Sequence, residues 1–124
     1  MKQFIGLHDS EDNTIIVLNI SRIITAAWDP ENKTTTVYIQ EVDTECYSVN
    51  ETPAMILKQI GDSRKFIMVH GKNRNNDVII PNDLVLKIRY KQSQSMTLIT
   101  IDNASFADFE VNEKPQSLLE VMNG

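Results

Sequence analysis

"SVNETPAMILKQIG" occupies residues 48–61 and "EVNEKPQSLLEVMNG" residues 110–124. Each gives Val-Asn-Glu-x-Pro and then a short helical pattern, with the two motifs 62 positions apart. In the first copy Thr52 is placed to cap a helix, Pro53 has the fixed φ that suits a first helical position, and Gly61 lies just past the end. Met55, Ile56 and Ile60 give that helix an apolar side. So short a helix is marginal alone in water and has to be packed against something.

The match extends well beyond the motif. Shifted by 62 positions, Phe4 falls on Phe66, Ile5 on Ile67, His8 on His70, Trp28 on Tyr90 and Thr35 on Thr97. Ile39 meets Ile101, Tyr47 meets Phe109, Glu51 meets Glu113 and Leu57 meets Leu119, with no gap from Lys2 to Ile60. Self-similarity at a fixed offset takes precedence over local readings, because it sets the whole architecture. We expect two similar units, residues 1–62 and 63–124.

Each unit opens on a short strand, residues 3–8 or 65–70, followed by a polar turn. The unbroken apolar runs at 14–18 and 78–80 suit strands covered on both faces. The chain continues through 23–28 or 85–90 into a turn, where Asp29-Pro30 presets the bend. "TTTVYIQ" (34–40) and "MTLITID" (96–102) then alternate with period two. A fourth strand, 46–49 or 108–111, leads to the helix. The expected fold is α+β, mostly β: two tandem β-β-β-β-α repeats related by a pseudo-twofold axis and sharing one core.

Size fits this reading, since 124 residues with 41% apolar content can bury a core that either half alone would build only marginally. The formal net charge of −5 argues against general affinity for nucleic acid. No segment approaches the roughly 18 apolar residues of a membrane span. "MKQFIGLHDSEDN" has no apolar run of signal-peptide length, so a cytoplasmic protein, or one assembled into a particle, is expected. Cys46 is the only cysteine, which excludes an internal disulfide and a thiolate zinc cluster.

Catalytic chemistry finds little to use. Cys46 has no histidine within sequence reach to activate it and reads as a half-buried strand residue. The glycines are scattered, with no phosphate loop, and no serine sits in a nucleophile elbow. His8 and His70 occupy equivalent positions and would form a metal or acid–base pair if an axis brought them together; inheritance from one ancestral position explains the recurrence equally well. Glu51 and Glu113 also recur, and a carboxylate there is accounted for by the helix dipole and free N–H groups. No catalytic, cofactor-binding or metal-ligating residue is assigned.

Charge divides the chain. Residues 1–62 hold four basic and ten acidic side chains, residues 63–124 eight basic and seven acidic. Lys87, Arg89 and Lys91 alternate with Ile88 and Tyr90, which places three cations on one face of a strand, and Lys72 and Arg74 add to them from a loop. This stripe is either a surface for a polyanion or a guarded strand edge. An acidic half and a mildly basic half would also steer head-to-tail association.

The rhythm of strand, Ile-bearing turn, Thr-rich hairpin and Val-x-Glu helix start resembles small bacterial modules of the FlbD-like flagellar type. The alternation of hairpin and short helix looks like DNA-binding domains of the LytTR type. Both are likenesses of periodicity, and no functional residue is carried over from them. The expected function is a non-enzymatic interaction or assembly protein, a structural or accessory component of a larger bacterial or phage particle. Two alternatives stand beside it: a nucleic-acid-binding or regulatory module using Lys87, Arg89 and Lys91, and a small-molecule-binding domain with its pocket between the repeats.

Overall fold

The computed structural model describes residues 2–73 and 75–124, so Arg74 lies outside the described residues. The first half contains β1 (Phe4–His8), β2 (Ile15–Asn19), a 3-10 turn at Ile20–Arg22, β3 (Ile23–Asp29), β4 (Thr34–Gln40), β5 (Thr44–Val49) and α1 (Pro53–Ile60). A 3-10 turn at Gly61–Ser63 leads into the second half. There β6 (Phe66–His70), β7 (Asp77–Pro81), a 3-10 turn at Asn82–Leu84, β8 (Val85–Lys91), β9 (Met96–Ile101), β10 (Phe109–Val111) and α2 (Pro115–Asn123) follow. The fold is α+β and mostly β. Each half carries five strands rather than four, because a 3-10 turn cuts the stretch after the first hairpin into two strands that join different sheets.

Local chemistry explains the helix ends. The Thr52 side chain accepts from the Met55 N–H, as an N-cap should, and Pro53 opens α1. Gly61 closes it at φ 56°, ψ −132°, a conformation that side-chain-bearing residues rarely adopt. α2 has Lys114 in the cap position and no side-chain cap bond. Left-handed residues recur at matched turn positions, Asn13 with Asn75 and Lys33 with Ser95.

Hydrogen-bonded pairing gives sheets β1-β2, β10-β9-β8 and β5-β4-β3-β7-β6. Two isolated bridges, Asp9 to Val49 and Gly71 to Val111, bring the end of β1 to β5 and the end of β6 to β10. The neighbours therefore run β2, β1, β5, β4, β3, β7, β6, β10, β9, β8. At the centre lies an antiparallel seam in which Ala26 faces Ile79 and Ala27 faces Val78. Among the described residues this circuit begins at β2 and ends at β8, each unpaired on one side.

Two buried clusters form, where a single shared core was expected. One gathers Ile5, Leu7, Leu18, Val37, Val49, Ile56 and Ile60 under α1, and takes in Ile79, Phe66 and Met68 from the second half. The other gathers Ile67, Val69, Val78, Ile80, Ile99, Val111 and Leu118, and takes in Ile24, Ala27 and Tyr38 from the first. The seam thus works as an exchange of apolar side chains. A register shift between Ile23 and Thr25 helps, since the extra residue of a bulge leaves Ile23 and Ala26 in the first cluster and Ile24 and Ala27 in the second.

Polar groups fasten the same seam. Thr25 Oγ1 donates to the Ile79 carbonyl at 2.8 Å, and Asn76 Nδ2 to the Trp28 carbonyl at 2.9 Å. Arg64 Nη1 reaches the Ile20 and Ile23 carbonyls at 2.8 and 2.7 Å. Its other nitrogens grip Asp83 at 3.1 and 2.8 Å, and its guanidinium lies 5.2 Å from the Phe66 ring centre.

Candidate interaction surface

The two histidines end β1 and β6, and each is held by the glutamate 43 residues further on. Glu51 accepts the His8 backbone N–H at 2.9 Å through one oxygen and meets ring Nδ1 at 2.6 Å through the other. Glu113 does the same to His70, at 3.0 and 2.6 Å, and Asp77 adds a contact to Nε2 at 3.1 Å. These carboxylates tie a strand end to a helix start, where a helix-capping role was expected; the cap of α1 belongs to Thr52.

Burial alone would push the Glu51 carboxyl up, but the hydrogen bonds from the His8 ring and backbone outweigh it and hold the group below its ordinary 4.5. The hydrogen bond to Glu113 raises His70 above its ordinary 6.5, against a smaller effect of burial and with help from the Glu113 and Asp77 charges. No group of three or more His, Cys, Asp or Glu among the described residues is arranged to hold a metal ion. Cys46 is exposed on β5, where a half-buried position was expected.

The basic residues divide into used and displayed. Lys72 Nζ donates to the Gln94 carbonyl and, at 3.0 Å, to that of Ser95, so it pins the turn after β8. Arg89 meets Asp108 at 3.3 Å. Lys87, Arg89 and Lys91 are all exposed along β8, and the Tyr90 ring lies under Lys114 at 4.4 Å. The strand that carries them has one neighbour, β9, among the described residues.

Sequence reasoning missed the apolar groups of the open edges. Both runs 14–18 and 78–80 were expected to be covered on two faces. That holds for β7, where Val78, Ile79 and Ile80 are buried. In β2 the equivalent run leaves Ile15 66% and Val17 64% exposed, with Phe4 on the neighbouring strand 51% exposed. At the other end Leu86 is 63% and Leu119 51% exposed. Val85, Leu86, Ile88, Leu119 and Met122 line a groove of about 410 Å³ between β8 and α2. The available signal was the offset itself, since Val17, Phe4 and Leu86 match Ile79, Phe66 and Ile24, which pack across the seam. A second groove, about 330 Å³, lies at the seam among Thr25, Ala27, Tyr38, Asn76, Val78 and Phe106, and neither histidine lines it.

No protein-family model, curated protein or solved structure matches this chain.

Proposed function

We propose that this chain is a non-enzymatic interaction and assembly protein, a building or accessory component of a larger particle, made by tandem duplication of a unit of about 62 residues. The observation that carries the reading is the pair of open strand edges, β2 and β8, with large apolar side chains left outside. An unpaired edge is a template for another chain, and exposed apolar groups beside it supply the affinity that backbone pairing alone lacks. On this reading the halves follow one another head to tail, by a step that can be repeated. Phosphate-binding and nucleophilic motifs are missing from the sequence, which favours this class over an enzyme.

Nucleic-acid binding through Lys87, Arg89 and Lys91 is the second reading, supported by their exposure. It is the weaker because Arg89 already has Asp108 and Lys72 is turned to its own turn.

Cross-linking of the native chain in its own cells tests the first reading. The expected result is recovery in a stable protein assembly larger than 14.1 kDa. A free monomer under those conditions would overturn it, and salt-dependent DNA binding lost in Lys87→Glu/Arg89→Glu would install the second reading instead.

A further inference from the structure

The seam between the halves is a worked example of how one unit joins the next. β3 of the first unit pairs antiparallel with β7 of the second, yet the equivalent strands, β8 and β2, are not paired with each other within the chain. We propose that β8 of one molecule pairs with β2 of a second copy in the register of the seam, so that identical chains associate head to tail. This deepens the assembly reading and rests on it.

Adding or subtracting 62 converts the seam into the new joint. Ala26 opposite Ile79 becomes Ile88 opposite Val17, and Ala27 opposite Val78 becomes Arg89 opposite Ile16. Ile24, which enters the second cluster, becomes Leu86, now 63% exposed with no core to enter. In the joint Leu86 comes to the partner's Ile16, the half-buried equivalent of Val78. In return Ile79 and Phe66, which pack into the first cluster, become Val17 and Phe4, both more than half exposed. Their destination is the groove between β8 and α2. α1 already shows the geometry, because it packs on β1 and β3 of its own unit and on β7 of the next, whereas α2 packs chiefly on β6 and β8.

Charge fits the same register. Across the seam groove Thr25 and Ala27 stand with Gly71 and Asn73. Their equivalents are Lys87 and Arg89 on one side and Asp9 and Glu11 on the other. Cations on β8 therefore meet acids of the next copy, and opposed cations in any β8-to-β8 pairing disfavour that alternative. Each chain offers one edge of each kind, so the association is heterologous and gives a closed ring or a filament according to the rotation per step.

The test uses edge-blocked variants of the full chain, with circular dichroism to confirm folding. Wild type should sediment above 14.1 kDa and gain mass with concentration until any ring closes. Val17→Lys and Leu86→Lys should each move that association at least about tenfold towards higher concentration. Mixed one to one they should form a dimer and nothing larger, because one intact β8 then meets one intact β2. Should either variant misfold, disulfide trapping in a Cys46→Ser background replaces it. Ile88→Cys in one chain should link to Val17→Cys in another, and Ile88→Cys should fail with Ile15→Cys. A wild type that stays at 14.1 kDa at every concentration overturns the pairing. So does assembly unaffected by both variants, or linkage indifferent to register. Recovery of such a chain in a larger cellular assembly would still leave the assembly reading standing, and a monomer found in no assembly would remove both.

Discussion

At the seam, β3 has Ile23, Ile24, Thr25 and Ala26 all buried; at the chain's far end, β8, which lies 62 positions on, has Leu86, Lys87, Arg89, Tyr90 and Lys91 exposed. The two strands share length, a preceding 3-10 turn, a following hairpin and a register shift at the same position. They differ in that β3 has a strand on both sides and β8, among the described residues, on one. Burial in a sheet protein belongs to the pair of strands that make contact, and a strand's own composition adapts afterwards: alanines where β7 lies close, cations where solvent remains.

The two strands differ most at Ile24 and Leu86. Ile24→Ala opens a hole in a packed cluster and should cost about 2–5 kcal/mol in urea unfolding. Leu86→Ala in the dilute monomer should stay within about 0.5 kcal/mol. Equal losses at the two positions would mean that Leu86 is already covered in the isolated chain.

A second contrast is polar. Buried Thr35 donates to the Glu51 carbonyl at 2.5 Å, whereas Thr97, equally buried, has an Oγ1 with no partner among the described residues. Thr35→Val should therefore destabilise by roughly 1–3 kcal/mol, and Thr97→Val should be neutral or stabilising. Chemical denaturation of the two variants side by side decides the matter.

A third contrast separates the two His–Glu clamps by pH. Glu51 is depressed on folding, so its contribution is present above its ordinary 4.5 and disappears as pH falls through the lower folded value. His70 is raised, so its contribution is complete below 6.5 and disappears as pH rises through the higher folded value. Urea midpoints measured from about pH 3 to about pH 9 should lose the acid limb in Glu51→Gln and the neutral-to-alkaline limb in His70→Asn. An unchanged profile in both variants would show the clamps to be idle. Smallest of all, Lys87→Glu in the dilute monomer should change stability by less than about 0.5 kcal/mol, since β8 faces water there and exposed charges are screened within roughly 8 Å. Thermal melts at low and high salt check it.

What was legible in the sequence was local. Thr52, Pro53 and Gly61 write a helix start and stop in capping chemistry that needs no distant partner. Period two in 34–40 gave β4, and the cations of β8 were placed on the right strand. The pairing of β3 with β7 joins residues some fifty positions apart and leaves no local trace. That is why β2 and β7 read alike, both unbroken apolar runs, although only β7 has a strand on each side. The His8–Glu51 clamp was half visible: both residues recur at the same offset, but nothing local told the carboxylate to turn from the helix to the strand.

The link at Gly61–Ser63 has a consequence during biosynthesis. The first 60 residues can complete β1 to β5 and α1 as they leave the ribosome, while β3 stays open until Pro81 has emerged. At roughly 5–20 residues per second that interval lasts on the order of seconds, long against hairpin formation. A neighbouring nascent chain offering its own β7 would fill the vacancy with identical contacts, giving a swapped dimer. The short tether holds the cis β7 at an effective concentration of the order of millimolar, well above that of any rival chain. Lengthening this link would therefore raise the yield of swapped molecules without altering a single native contact.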